Sequence, residues 1–487
     1  MKKIALLFTL VLVLLLATAC RDNNENGADE QPETPAVTTP DAPATPNPTP
    51  ADDPPEADAP ATGLIRDIGR DIRIICWWQY MPNTTDPEPD PATSANYLNA
   101  RAWWDNQVRV QEAYNVTFTN VSMGRPDIME PLMASVMAGD PIAELVMLGD
   151  EHMIPAITGN LIMTASQFAA PNSDMLNSRI FVRPLVEFQN EIWAFGRVEL
   201  STQGAGLGIN LDLINAIGAP NPVTLWENGQ WTWDAMRDIM RMASRDTTGD
   251  GVFDQFGLGG NIDAVAHQLL ATNNARMVNP DTMEYSFDEP NAMEALEFMY
   301  EIFSNRWWHY DQHSYNPMGN WSRDHGAFWD GNTAMFMTAT WVFENGNFPS
   351  FEHSVVPWPQ GPSGVGYTSL GGFPQGMTIP QGNSNPQDIF MLYEELQSWA
   401  RYDMDMMTMG AYDYTRRSWL TEEDVYRVLH HIGNPDRQMF CIGMAIPDYP
   451  WVVNSFVRHF FEGTMTVSQA VEAYRPPSQE RIDAIFR

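Results

Sequence analysis

The chain has 487 residues, too many for one hydrophobic core, and 62 Asp and Glu against 27 Lys and Arg give it a formal net charge of −35. That balance excludes nucleic acid as a partner, since binding it needs a basic footprint, and excludes adsorption of the folded body to anionic lipid. Aromatic residues make up 11% of the chain, ample material for a packed interior.

Lys2 and Lys3 precede an apolar run from Ile4 to Leu16, broken only by Thr9, and "ATAC" ends it at Cys20. The run is short for a membrane-spanning helix and has the layout of a secretory signal, residues 1–20. A Cys directly after small residues resembles the lipobox of bacterial lipoproteins, which implies acylation of Cys20 and anchorage at the extracellular face of the cell membrane. Residues 21–62 hold ten of the chain's 37 prolines and one sizeable apolar side chain, Val37. Such a segment has nothing to bury against the entropy of ordering, so it reads as a disordered, semi-stiff spacer.

The body begins at Gly63. "DIRIICWW", Asp71 to Trp78, reads as a buried strand and Asn96 to Tyr114 as a helix. "VTFTNV", Val116 to Val121, alternates like a strand; Ile128 to Gly139 is helical, with Gly139 as its stop; Ala143 to Gly149 is a third strand. This β-α-β-α-β order predicts parallel strands in an open α/β sheet covered on both faces. Functional groups of such sheets gather past the carboxyl ends of the strands. Trp77 and Trp78 stand past the first strand, and Asp150, Glu151 and His152 past the third. Neighbours on a strand face opposite ways, so one of the two tryptophans is expected to pack in the core.

Further along, Glu191 to Gly196 and Gly206 to Gly218 read as strands, the second leading into a short helix. "WTWDAMRDIMRMASRD" is helical with Thr232 as N-cap, and "DEPNAMEALEFMYEIFSN" starts its helix at Pro290 and aligns Ala292, Leu296, Met299 and Phe303. Gly331 to Trp341 is helix-to-strand in character, and the tail from Asp388 is mostly helical. Between them "DTTGDGVFDQFG" carries Asp246, Asp250 and Asp254 at calcium-loop positions 1, 5 and 9, with Thr248 at 3. Position 12 is Gly257 where an EF-hand needs a bidentate Glu, so that reading fails. Asp246, Thr248, Asp250, the Val252 carbonyl and Asp254 remain a candidate set of oxygens for structural calcium, against a plain Asp/Gly turn. His309 and His313 are a metal pair only on a helix, and their surroundings look irregular. Cys76 reads as a buried thiol, with pairing to Cys441 left open.

A Trp-rich first strand, "GLGINLDL", "WTWDAM" before "DTTGDGVFDQFG", "GNTAMFMTATW", "VVPWPQGP" and "GMTIPQG" occur here in one order. That order resembles the family 1 extracellular solute-binding proteins, the lipoprotein receptors of carbohydrate ABC importers, over nearly all of residues 63–487. The resemblance implies a type II periplasmic-binding-protein fold, two α/β lobes joined by crossing hinge strands. It implies lobe 1 at 63–196 and 366–411, and lobe 2 at 197–365 and 412–487. It departs at Gly208, where Tyr is usual, and in the greater length of the body.

Sugar rings lie on aromatic faces through their C–H patches, and their hydroxyls need fixed carboxylates and amides. By resemblance Trp341 is the principal stacking residue, Asp150 a hydroxyl acceptor and Glu199 a further one, while Gly371 and Gly372 let backbone approach the ligand. The implied partners are a carbohydrate, the ABC permease subunits and the membrane through the anchor, with a monomeric body and no required cofactor beyond the candidate calcium. The rival readings are a secreted glycan-acting enzyme and a receptor for peptides or another solute on the same fold.

Overall fold

The computed structural model describes residues 63–77, 97–171, 173–177, 187–188, 191–196, 205–279, 281–309, 326–339, 349–370, 375–400, 421–434, 437–439 and 449–487, with a few single residues between 409 and 419. Two four-stranded sheets organise it.

The first sheet forms as its sequence dictates. β1 (Arg70–Cys76) pairs in parallel with β2 (Val116–Ser122), from Arg70 opposite Val116 to Cys76 opposite Ser122. It also pairs in parallel with β3 (Leu145–Gly149). The crossovers are α1 (Tyr97–Tyr114) and α2 (Met129–Ala138), and α3 (Asp150–Thr158) leaves β3 directly. Gly139 ends α2 in the left-handed region at φ 73°, its N–H donating to the Val136 carbonyl. β1 stops at Cys76, level with the last residue of β2, so Trp77 emerges just past the ladder. Alternate residues serve two cores. Leu145 and Met147 join Ile72, Ile74 and Phe118 on one face, and Val146 and Leu148 join Ile75 and Leu132 on the other.

The second sheet holds β4 (Ala205–Asn210), β5 (Phe256–Gly259), β6 (Thr333–Ala339) and β7 (His353–Val356) in the order β7-β4-β6-β5. β4 runs antiparallel to β6 and β7, and β6 runs parallel to β5. Strand character holds throughout Thr333–Ala339, where a helical start was expected. Its alternation explains this: Met335 and Met337 enter the larger core while Phe336 enters the smaller one behind. Around it lie α4 (Leu211–Ala216), α5 (Pro222–Glu227), α6 (Trp233–Ala243), α7 (Ile262–Thr272) and α8 (Pro290–Ser304). The Thr232 hydroxyl caps α6 and Pro290 opens α8, as expected.

The chain then re-enters the first sheet as β8 (Gln375–Thr378), antiparallel to β3, followed by α9 (Pro386–Gln397) on the β1 core. α10 (Glu422–Arg427) runs on as a π-helical turn, Val428–Ile432, against the second sheet. α11 (Tyr449–Glu462) and α12 (Val467–Phe486) complete the larger core, and a capping box of Thr466 and Gln469 starts α12. Cys76 is buried, its Sγ 3.8 Å from Met147 Sδ, and Cys441 lies outside the described residues.

α10 is fastened to β7 by a buried ion pair. The Arg427 guanidinium contacts the Asp424 carboxylate and donates to the Val355 carbonyl at 2.8 Å, and the Ser354 hydroxyl donates to Asp424 at 2.6 Å. Breaking one side of such a pair strands the other charge away from water. Asp424→Ala should therefore cost about 3–5 kcal/mol in denaturant unfolding, and Asp424→Ala with Arg427→Met should recover much of that loss.

Candidate functional site

The three parallel strands of the first sheet end at one edge, and three segments deliver side chains there. The turn after β2 carries Arg125 in a single 3-10 turn, Arg125–Asp127, set by Pro126. Its guanidinium stands 5.1 Å from the centroid of the Trp77 ring. It also grips both oxygens of Glu151, with Nε 2.5 Å from Oε1 and Nη2 against Oε2. Gly149 makes the room. A Cβ there would lie 2.6 Å from Arg125 Nη2 and 2.9 Å from Glu151 Oε2, so any larger residue would push the clamp off the strand end. Glu151 sits in the first turn of α3, where the helix dipole favours a carboxylate. Both partners are part-exposed, at 26% and 37%, which leaves the pair within reach of a ligand. Behind them His152 is buried, with Nε2 3.6 Å from Glu151 and its Nδ1 without a hydrogen-bond partner. Burial holds its imidazole below the usual pKa, a trend Glu151 opposes and Arg125 reinforces.

Of the sequence-predicted residues, Trp77 and Glu151 meet at this edge. Trp77 is half-buried, packed on both cores of the first sheet with Arg125 over its ring. Trp77 thus has a large core share, and its exposed remainder is framed by the clamp. Asp150 is the first residue of α3. Trp78, Glu199, Trp341, Gly371, Gly372 and the acylation candidate Cys20 lie outside the described residues. Sequence reasoning missed Arg125. The rule that pointed past strands one and three applies equally past strand two, where "MGRPDI" holds the one cation of the turn.

In the second sheet the matching edge lies past β5. Gly260 takes φ +111°, and a Cβ there would sit 2.7 Å from Met337 Cβ. The Trp308 indole N–H donates to the Gly260 carbonyl at 3.1 Å, and Asn261 caps α7 through the Ala264 N–H. A shallow pocket of about 370 Å³, lined by Asn210, Asp212, Asp330, Ser350 and Phe351, opens at the other end of this sheet, where β6 and β7 begin. It therefore lies at the opposite end of this sheet from the edge past β5.

The calcium expectation finds no support in the loop. Asp246 accepts backbone N–H groups from Thr248, Gly249 and Gly251 at 3.1, 2.6 and 2.6 Å, and Asp254 accepts the N–H and hydroxyl of Thr247 at 2.7 and 2.6 Å. Asp250 accepts the N–H of Val252, whose side chain is exposed. The carboxylates close the turn instead of converging on a cation, and no group of three metal-ligating side chains exists among the described residues. The hydrogen bonds are those of an Asp/Gly turn. The His309 ring lies edge-on to Phe256 at 4.7 Å and the His309 backbone N–H donates to the Leu258 carbonyl, while His313 is outside the described residues.

The architecture, two α/β units between whose sheets the chain passes repeatedly, is the type II periplasmic-binding-protein fold. Three of the solved structures that share it illustrate the likeness. The chain is similar to the GacH receptor of Streptomyces glaucescens, studied unliganded and with acarbose, at 12% identity over 86% of this chain and 99% of that one, with a TM-score of 0.58. It is similar to a cyclo/maltodextrin-binding protein complexed with maltotetraose, at 12% identity over 86% and 98% with a TM-score of 0.59. It is also similar to the maltose/maltodextrin-binding domain MalE from Bdellovibrio bacteriovorus bound to maltotriose, at 13% identity over 85% and 100% with a TM-score of 0.55. No protein-family model and no curated protein sequence matches the chain.

The loop chemistry has a measurable consequence. The Gly251 N–H, the leading cause, holds the Asp246 carboxyl below its ordinary pKa, so its contribution is present above the unfolded carboxylate value and is lost as pH falls through the folded one. Asp246→Asn should lower the melting temperature at neutral pH and shrink its drop on acidification, whereas a chelator should leave the wild-type melting temperature unchanged. A chelator-induced fall would restore the metal reading.

Proposed function

We propose that this protein is a membrane-anchored extracellular receptor that captures a carbohydrate, most simply an oligosaccharide, in the cleft between its lobes and delivers it to an ABC importer. The observation that carries the reading is the Trp77–Arg125–Glu151 edge at the carboxyl ends of parallel strands, on a fold whose solved neighbours hold sugars. An indole rim, a fixed guanidinium and a fixed carboxylate are what a polyol needs: a surface for C–H groups, a donor and an acceptor. Closure requires only that the shut state bind the sugar more tightly, with no covalent step.

In this reading residues 1–20 are the signal, Cys20 the acylated anchor, 21–62 the spacer, 63–196 with 366–411 lobe 1, and 197–365 with 412–487 lobe 2. Trp341, Trp78, Glu199, Gly371 and Gly372 complete the cleft, and the permease subunits are the partner. The neighbours being binding proteins supports a receptor over an enzyme.

A thermal-shift panel of oligosaccharides and peptides tests the reading, because a saturating ligand raises the melting temperature by mass action. Sugars should stabilise and be recovered intact; stabilisation by peptides alone, or cleavage of the sugar, would replace the proposal by one of its rivals. With the sugar in hand, Arg125→Ala and Trp341→Ala should each weaken binding by about 1–3 kcal/mol in calorimetry while leaving the unfolding transition in place. Membrane retention should be lost in Cys20→Ala, and a wild type that fractionates as freely soluble contradicts the anchor.

A further inference from the structure

His152 stands behind the Arg125–Glu151 clamp, on the same first turn of α3 as Glu151. It is 6% exposed, so a ligand seated at the edge does not reach it. Its Nε2 lies 3.6 Å from Glu151 Oε1, the oxygen that also takes the Arg125 Nε–H at 2.5 Å. Its Nδ1 is shielded from water and has no hydrogen-bond partner. One ring nitrogen thus meets a carboxylate and the other meets nothing polar.

That asymmetry fixes how the ring carries its protons. A neutral imidazole has one N–H and one lone pair. A lone pair on Nε2 would face the Glu151 carboxylate, and an N–H on Nδ1 would be a donor stranded in a dry site. The lower-cost tautomer places the proton on Nε2, with its positive end toward Oε1. At 3.6 Å the contact is longer than a hydrogen bond and acts through charge. A second proton changes the balance. Burial opposes it most strongly; of the charged groups acting on the ring among the described residues, Glu151 favours it and Arg125 opposes it. Once it is added, two cations stand against one carboxylate, and Oε1 is the atom they contest.

We propose that His152 is a positioning residue of the sugar site. Its neutral ring steadies Glu151 for the ligand, and acid that charges the ring draws Oε1 from Arg125 and weakens sugar binding. His152 itself touches no sugar; it acts through Glu151. The inference rests on the receptor reading and adds to it a control of binding by pH.

Two measurements test it. Nitrogen NMR of the unliganded protein, with the His152 signal identified by its loss in His152→Gln, should show the Nε2–H tautomer at neutral pH. Its titration midpoint should rise in Arg125→Gln and fall in Glu151→Gln. An Nδ1–H tautomer, or a midpoint indifferent to both substitutions, overturns the inference whatever the ligand. Calorimetry with maltotetraose and mannotriose should show wild-type affinity falling at least about fivefold between neutral pH and about one unit below that midpoint. His152→Leu should weaken binding at neutral pH by about tenfold. His152→Gln, whose amide N–H stands in for Nε2–H without titrating, should recover most of that loss and bind equally at both pH values. Wild-type affinity that ignores pH, or a His152→Gln protein as pH-sensitive as wild type, overturns the inference and leaves the receptor standing. If neither sugar binds at either pH, the receptor reading fails and the inference falls with it.

Discussion

A sheet buried on both faces must hand its side chains alternately to two cores, and this constraint shapes the first half of the molecule. Leu145 and Met147 go one way, Val146 and Leu148 the other, and a shift of one residue would exchange both sets at once. The alternation locks β3 in register with β1. The register in turn sets where the strands stop, with Cys76 level with Ser122. Trp77, Arg125 and Glu151 meet because their strands end together, and Gly149 leaves the space in which they meet.

Charge is handled differently inside and outside. Arg427 and Asp424 are buried, hydrogen-bonded on several sides and set the position of α10 against β7. The pair specifies where that helix lies more than it adds net stability, because removing both charges from water is costly. Exposed pairs such as Arg241 with Asp238 carry little weight. Arg125 and Glu151 stand between these cases, held in a two-point grip yet partly open to solvent, as suits groups that must be rigid before a ligand arrives.

The loop at 246–257 shows how one pattern serves two chemistries. Acids at every fourth position with Gly249 and Gly251 between them can surround a cation, or can turn inward and accept the backbone N–H groups of the same loop. Here they turn inward, with both glycines in the left-handed region at φ 81° and 89°. The spacing alone is compatible with either outcome, since position 12 removes only the EF-hand. What distinguishes the two is the direction each carboxylate takes, and direction is not a property of spacing.

Much of the fold was legible because its signals are local. The period-two alternation of Val116–Val121, the stripe of α8, the Thr232 cap and the Gly139 stop each follow from a few neighbouring residues, and each formed where expected. Thr333–Ala339 was harder, since a short apolar run is ambiguous until two cores claim its alternate residues. Of the site, Trp77 and Glu151 could be read from their place after strands, but Arg125 belongs with them only because β2 lies beside β1. The sequence by itself determined the parallel α/β order, the acidic character and the helix boundaries, all properties of adjacent residues. Tertiary structure alone decided the Arg125 clamp, the inward turn of Asp246 and the seating of the π-turn on Gly206, because each depends on groups far apart in the chain or on the direction of a side chain in space.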